Sequence, residues 1–134
     1  MILIADSGST KTEWLFSHGG EIKKAYTLGL NPFFVTEEKV IKIIKEELPE
    51  NFKQNITQLF FYGAGCLEEE RPFDKSAKAR FPQGPKGKMK KELEGIFKDA
   101  VIQIESDLLG AARACCGTHA GIVSIIGTGS SVCC

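Results

Sequence analysis

Two segments built from small residues, and one acid lying between them in the chain, carry the residue types that phosphate chemistry needs. They are Asp6-Ser7-Gly8-Ser9-Thr10-Lys11-Thr12, Gly127-Thr128-Gly129-Ser130-Ser131 and Asp107. Each segment follows an apolar run and lacks large side chains, so the backbone can approach a ligand and several N–H groups can converge on an anion. The hydroxyls of Ser9, Thr10, Thr128 and Ser130 add donors, and Lys11 adds a charge. Asp6 belongs in such a place when Mg²⁺, or water bound to it, stands between the carboxylate and a phosphate. Clusters of Gly, Ser and Thr are also how chains reverse direction, and either segment alone reads more readily as a plain turn. The combination carries more than its parts.

Asp107 lies in Ile104-Glu105-Ser106-Asp107-Leu108-Leu109-Gly110-Ala111-Ala112-Arg113-Ala114. An apolar run ends there and a helix is expected to begin. An acid in a first helical turn offsets the helix dipole, worth a few tenths to about 1 kcal/mol. The same position keeps a carboxylate ionised and able to accept a hydroxyl proton during phosphoryl transfer. The residues alone leave these readings near even. Gly110, Ala111, Ala112 and Ala114 give the helix a smooth flank on which a sheet or ligand can lie close.

Other phosphate-binding loops are excluded by spacing. No G-x-x-x-x-G-K-[ST] occurs, so the chain is not a P-loop nucleotidase. Gly63-Ala64-Gly65 opens like a dinucleotide fingerprint, but Glu68 occupies the third glycine position, and Gly127-Thr128-Gly129 fails likewise at Val132.

The elements that must position these residues follow from apolar patterning. Ile2-Leu3-Ile4-Ala5, Leu59-Phe60-Phe61-Tyr62, Val101-Ile102-Gln103-Ile104 and Ile122-Val123-Ser124-Ile125-Ile126 are of strand length and nearly continuous, the pattern of central strands covered on both faces. Lys11 to Ser17 and Glu21 to Leu28, joined through His18-Gly19-Gly20, read as two further strands with a tight turn. Val40, Ile41, Ile43, Ile44 and Leu48 form a helical stripe, with Thr36 as cap and Pro49 as stop. Leu93, Ile96 and Phe97 mark a second stripe, and a third helix is expected from Asp107 to Cys116 between Ser106 and Gly117. Phe81-Pro82-Gln83-Gly84-Pro85-Lys86-Gly87 reads as a loop. The result is an α/β fold, a mixed sheet flanked by helices.

With 134 residues, 43% apolar, 25% charged and 9% aromatic, the chain has the make-up of one folded domain. Seventeen basic residues balance 17 acidic ones, which argues against a general nucleic-acid binder. From Lys75 to Lys91 seven basic residues occur with no acid. An anion patch and a solvated surface both fit, and the nearby Glu68-Glu69-Glu70 favours the surface. No apolar run approaches the roughly 20 residues of a membrane span, and the N-terminus lacks the basic region of a signal peptide, so no membrane partner and a cytoplasmic location are expected. Five cysteines, Cys66, Cys115, Cys116, Cys133 and Cys134, suit buried reduced thiols better than a disulfide framework. Cys115-Cys116 with His119 lacks recognised metal-ligand spacing.

Taken together, Ile4 to Trp14, Ser106 to Ala114 and Ile126 to Ser131 resemble the N-acetylglucosamine kinase-like branch of the BadF/BadG/BcrA/BcrD ATPase family, within the sugar kinase, Hsp70 and actin superfamily. The resemblance implies ribonuclease-H-like (actin-like ATPase) domains, three antiparallel N-terminal strands followed by parallel ones, with ATP and Mg²⁺ in a cleft. On this likeness Asp6, Gly8, Ser9, Thr10 and Lys11 form the first phosphate loop, with Asp6 near Mg²⁺. Gly127, Thr128, Gly129 and Ser130 match the second phosphate loop. Asp107 matches the base that takes the proton of an amino-sugar hydroxyl. Asn31, in Gly29-Leu30-Asn31-Pro32-Phe33, matches a sugar-contacting position and reads equally as turn initiation before Pro32.

The resemblance further implies a second domain carrying the adenosine site, whereas this chain stops at Cys134. Residues 1–120 are then the first domain, and 121–134 the opening strand and phosphate loop of the next. Weak or no ATP binding and negligible kinase activity are expected of the chain alone, since one wall of the cleft is missing. The orphan strand must pair with the first domain, stay exposed or swap into a neighbour, making a homodimer one outcome. Two alternatives stand beside the kinase. One is the ATPase activator of a radical dehydratase or reductase, which needs cysteine-held iron–sulfur. The other is a non-catalytic binding or assembly module. The identity of the sugar is not legible.

Overall fold

Alternation of side chains along the first strands decides which face of the sheet is the core. In β1 (Ile2–Ser7), Leu3, Ala5 and Ser7 are buried while Ile2 and Asp6 are exposed. β2 (Lys11–His18) buries Thr12, Trp14 and Phe16 on the same face, and β3 (Glu21–Leu28) adds Ala25 and Thr27. The turn between β2 and β3 is Gly19-Gly20, with φ of 59° and 85°, the left-handed pair that a tight hairpin requires. The chain is described here by a computed structural model that covers residues 1–67, 84–126 and 130–133.

α1 (Glu37–Glu47) follows, its first turn capped by the Thr36 hydroxyl, which accepts from the Lys39 amide at 3.4 Å. A single 3₁₀ turn (Glu50–Phe52) leads to β4 (Gln58–Gly63), then come α2 (Gly84–Ile96), β5 (Val101–Ser106), α3 (Asp107–Cys116), β6 (Val123–Ile126) and β7 (Ser130–Cys133). The main sheet is five-stranded in the order β3-β2-β1-β4-β5. β1 to β3 are antiparallel neighbours, and β1, β4 and β5 run parallel.

Register brings Trp14, Ala5, Phe61 and Ile104 into one row on the buried face, with the Trp14 and Phe61 rings 6.4 Å apart. Val40, Ile43 and Ile44 of α1 and Met89 and Leu93 of α2 close the core over that row. The fold is therefore α/β, a mixed five-stranded sheet flanked by helices, as the patterning predicts.

Three expectations need correction. The apolar runs are covered unevenly: β5 is an edge strand with Val101 66% exposed, and the far faces of β1 and β4 are half buried, because α1 and α2 pack on one side and α3 crosses the other. Residues 122–126 do not form a central strand either. Among the described residues β6 pairs only with β7, in a separate two-stranded sheet, and Ile122 is 78% and Ile126 86% exposed. Residues 84–87 are helical rather than loop. Pro85 sits in the first turn, where its missing N–H has no helical partner to lose, and its ring is buried. The rest of that expected loop, 81–83, and the segment 68–80 lie outside the described residues.

No helix among the described residues is long and apolar enough to cross a membrane.

Candidate functional site

Parallel pairing sets Ser7, Gly63 and Ser106 side by side at the carboxyl ends of β1, β4 and β5. In open α/β sheets ligands bind outside this end. Asp6 precedes Ser7 there, Asp107 follows Ser106, and the β1–β2 turn starts from the same edge.

That turn is held by its small residues. The Gly8 amide donates to the Lys11 carbonyl at 2.9 Å and the Gly29 amide to the Thr10 carbonyl at 3.0 Å. A Cβ on Gly29 would stand 2.5 Å from the Gly8 oxygen and the Ser9 carbonyl, so only glycine lets the chain after β3 lie against the turn. Beneath it, the Leu30 amide donates to Ser7 Oγ (3.0 Å) and Thr12 Oγ1 donates to the Leu28 carbonyl (3.0 Å). With that proton committed, Ser7 is the donor in the 2.8 Å Ser7–Thr12 hydroxyl contact. Both hydroxyls are buried, and they tie β1, β2 and residues 28–30 together. Among the described residues the amides of Ser9 and Thr10 make no hydrogen bond, which leaves both as donors at the sheet's ligand end.

Asn31 joins the turn. Its Nδ2 donates to Ser9 Oγ at 3.0 Å, and its Oδ1 accepts from the Phe33 amide at 3.0 Å. The side chain is thus both the turn initiator and a strut between loops, and only 6% of the residue is exposed. Those two bonds leave one Nδ2 hydrogen and one Oδ1 lone pair outside them.

The acids come together. Asp6 lies on the exposed face, yet surrounding strand ends strip part of its hydration, and that partial burial is the largest cause pushing its carboxyl above the usual range. The charges of Asp107 and Glu13 push the same way, and Lys11 opposes them. Asp107 Oδ1 accepts from its neighbour's amide, Leu108, at 2.9 Å, while Ser106 caps α3 by accepting from Leu109 at 3.2 Å. Asp107 therefore opens α3 and stands within electrostatic reach of Asp6. Lys11 Nζ lies 4.9 Å from the centre of the Tyr26 ring, a cation–π contact that steadies its long side chain.

Behind the site, burial pushes the Cys66 thiol up to about 12, with Asp107 and Glu92 adding to the shift. α3 crosses the sheet's outer face here. A Cβ on Gly110 would come 2.8 Å from the Tyr62 ring, and Arg113 donates to the Tyr62 hydroxyl at 3.2 Å.

The structure thus brings Asp6, Gly8, Ser9, Thr10, Lys11, Asn31 and Asp107 to one end of the sheet. Gly127, Thr128 and Gly129 lie outside the described residues. Ser130 opens β7 opposite Ile126, and β6 and β7 both contact α3, the helix that Asp107 begins. Gly29, Ser7 and Thr12 complete the site's frame and were not singled out as site residues by sequence; a glycine directly before Leu30-Asn31-Pro32 is the one local signal for the first.

The chain matches no protein-family model, and no curated protein matches it at a significant level. Function therefore has to be argued from the site itself.

The donor set there is oxygen, and its charge is unbalanced. Two carboxylates repel each other with Lys11 as the opposing cation. No three His, Cys, Asp or Glu side chains converge as a metal cage among the described residues. Such a site suits a hard divalent ion held by one or two carboxylates, with its other ligands from water and a bound phosphate. Cys115 is exposed, whereas Cys116 is half buried, its sulfur beside Gly121.

Proposed function

We propose that this chain carries the N-terminal part of a cytoplasmic, ATP-dependent amino-sugar kinase, similar to the N-acetylglucosamine kinase-like branch of the BadF/BadG/BcrA/BcrD ATPase family. The observation that carries the reading is the pairing of Asp6 with Asp107 at the carboxyl end of parallel strands, beside the two unoccupied amides of Ser9 and Thr10. The strand order β3-β2-β1-β4-β5, with β2 antiparallel to its neighbours, supports the ribonuclease-H-like class.

In this reading the Ser9 and Thr10 amides and the Lys11 charge bind phosphate oxygens of ATP, and Asp6 holds Mg²⁺ directly or through water. The metal, when bound, neutralises charge on the phosphates. Asp107, fixed at Oδ1 by the Leu108 amide, presents its second oxygen as proton acceptor for the sugar hydroxyl that attacks the γ-phosphorus. Asn31 orients that sugar through its remaining amide hydrogen. The residues 127–130 would supply the second phosphate cradle.

The test is phosphoryl transfer from ATP to N-acetylglucosamine, glucosamine and N-acetylmuramic acid in the protein that bears this chain. Asp107→Asn should cost about 10²–10⁴ in turnover while nucleotide affinity changes little. Turnover of the variant equal to that of the parent removes Asp107 from the mechanism and the kinase reading with it.

A further inference from the structure

A glutamate in mid-helix normally faces water, but Glu92 of α2 is 4% exposed, and among the described residues neither of its carboxylate oxygens has a hydrogen-bond partner. Its near neighbour is Lys88, one turn earlier, whose Nζ stands 3.6 Å from Oε1. The same Nζ donates to the Val35 carbonyl at 3.2 Å. The Val35 amide in turn donates to the Asn31 carbonyl at 3.1 Å, as Phe34 does at 2.9 Å, and the Asn31 side chain reaches Ser9. A continuous set of contacts therefore runs from a buried, unsatisfied acid to the β1–β2 turn.

We propose that Glu92 is a proton-sensing residue which controls, through Lys88, how firmly the loop holding Asn31 is clamped. Among the described residues, the groups that face it from the packed elements are Lys88 on its own helix, Glu37 and Glu38 at the start of α1, and the Cys66 thiol after β4. A buried carboxylate without a hydrogen bond is costly in its charged form. Burial accordingly holds the Glu92 proton above the usual carboxylate range, Glu37 and Glu38 push the same way, and Lys88 opposes them. While Glu92 is neutral, the Lys88 ammonium keeps its hydrogen bond to the Val35 carbonyl. Ionised, Glu92 competes for that ammonium and draws it off the loop. No covalent step is involved; one proton leaves the carboxyl for solvent. The inference does not depend on the kinase reading, since the clamp acts on the loop whatever ligand it serves.

Amide hydrogen exchange in the ¹⁵N-labelled chain tests it, with protection of Phe34 and Val35 followed from about pH 5 to pH 8 after correction for intrinsic rates. Protection should fall roughly tenfold as Glu92 ionises, the equivalent of one unit of linked proton affinity. Glu92→Gln, which keeps the neutral shape, should hold protection flat across the range. Lys88→Met should lower protection at every pH and abolish the pH dependence. A flat wild-type profile, a Glu92→Gln profile that still follows the wild type, or a pH dependence that survives Lys88→Met each overturns the proposal.

Discussion

Asn31 Nδ2 donates to Ser9 Oγ at 3.0 Å, which ties the loop after β3 to the turn between β1 and β2. With Gly29 pressed against Ser9 and the Ser7–Thr12 hydroxyl pair beneath, the turn is braced from both sides, and among the described residues its Ser9 and Thr10 amides make no hydrogen bond. Preorganised donors of this kind bind an oxyanion without paying again for their own ordering.

The strut should be measurable. Asn31→Ala and Ser9→Ala are each expected to lower unfolding free energy by about 1–3 kcal/mol for Asn31, which also leaves the Phe33 amide unpaired, and less for the half-buried Ser9. A double-mutant cycle from urea midpoints should give a coupling of about 0.5–1.5 kcal/mol. Additive effects would mean that the contact does no structural work.

Two glycines should respond in opposite directions. Gly29→Ala forces a methyl to within 2.5 Å of the turn backbone and should destabilise by about 1–3 kcal/mol, overpacking that backbone cannot relieve. Gly95→Ala, in α2 with nothing within 4 Å of the new methyl, should stabilise by about 0.5–1 kcal/mol. Thermal or urea unfolding of the pair checks both signs.

The carboxyl of Asp6 should titrate above its ordinary 3.8, and Asp107→Asn should bring its midpoint down by removing one of the charges that raise it. A raised folded-state value means that the folded protein holds this proton longer than the unfolded chain. Stability from Asp6 is therefore fully present below the unfolded value and is lost as pH rises through the folded one. Carbon-detected NMR of the Asp6 carboxyl reads the midpoint; no change in the Asp107 variant would separate the two acids.

Thiol reactivity should sort the cysteines. Cys66, buried and with its thiol pushed up to about 12, should resist iodoacetamide near pH 8 in the folded chain, while exposed Cys115 reacts. Mass spectrometry of the labelled peptides decides, and equal labelling of both would contradict the burial of Cys66.

Much of this fold is legible because its signals are local. Thr36, Ser106 and Gly117 mark helix ends by cap chemistry, and Gly19-Gly20 marks a hairpin. What escapes is tertiary. Gly84-Pro85-Lys86-Gly87 has a loop's composition and becomes helical because Pro85 and Met89 are buried against the sheet. The run 122–126 has the composition of a central strand, but its pairing partner is the neighbouring β7, which leaves two isoleucines outside. Within the site, Asp6 and Asp107 stand out by residue type, whereas the grip of Asn31 on Ser9 and the burial of Glu92 depend on packing between segments far apart in the chain.

Paramagnetic mapping tests whether the β1–β2 turn and the start of α3 face one metal–phosphate site, as proposed. Mn²⁺ with ATP, added to the ¹⁵N-labelled chain, reports even a weak site through selective line broadening. Loss of the Ser9, Thr10 and Leu108 amide signals together, suppressed in Asp6→Asn, is the predicted result. Broadening centred on Glu37 and Glu38, or spread over the surface with those three amides untouched, would contradict the account.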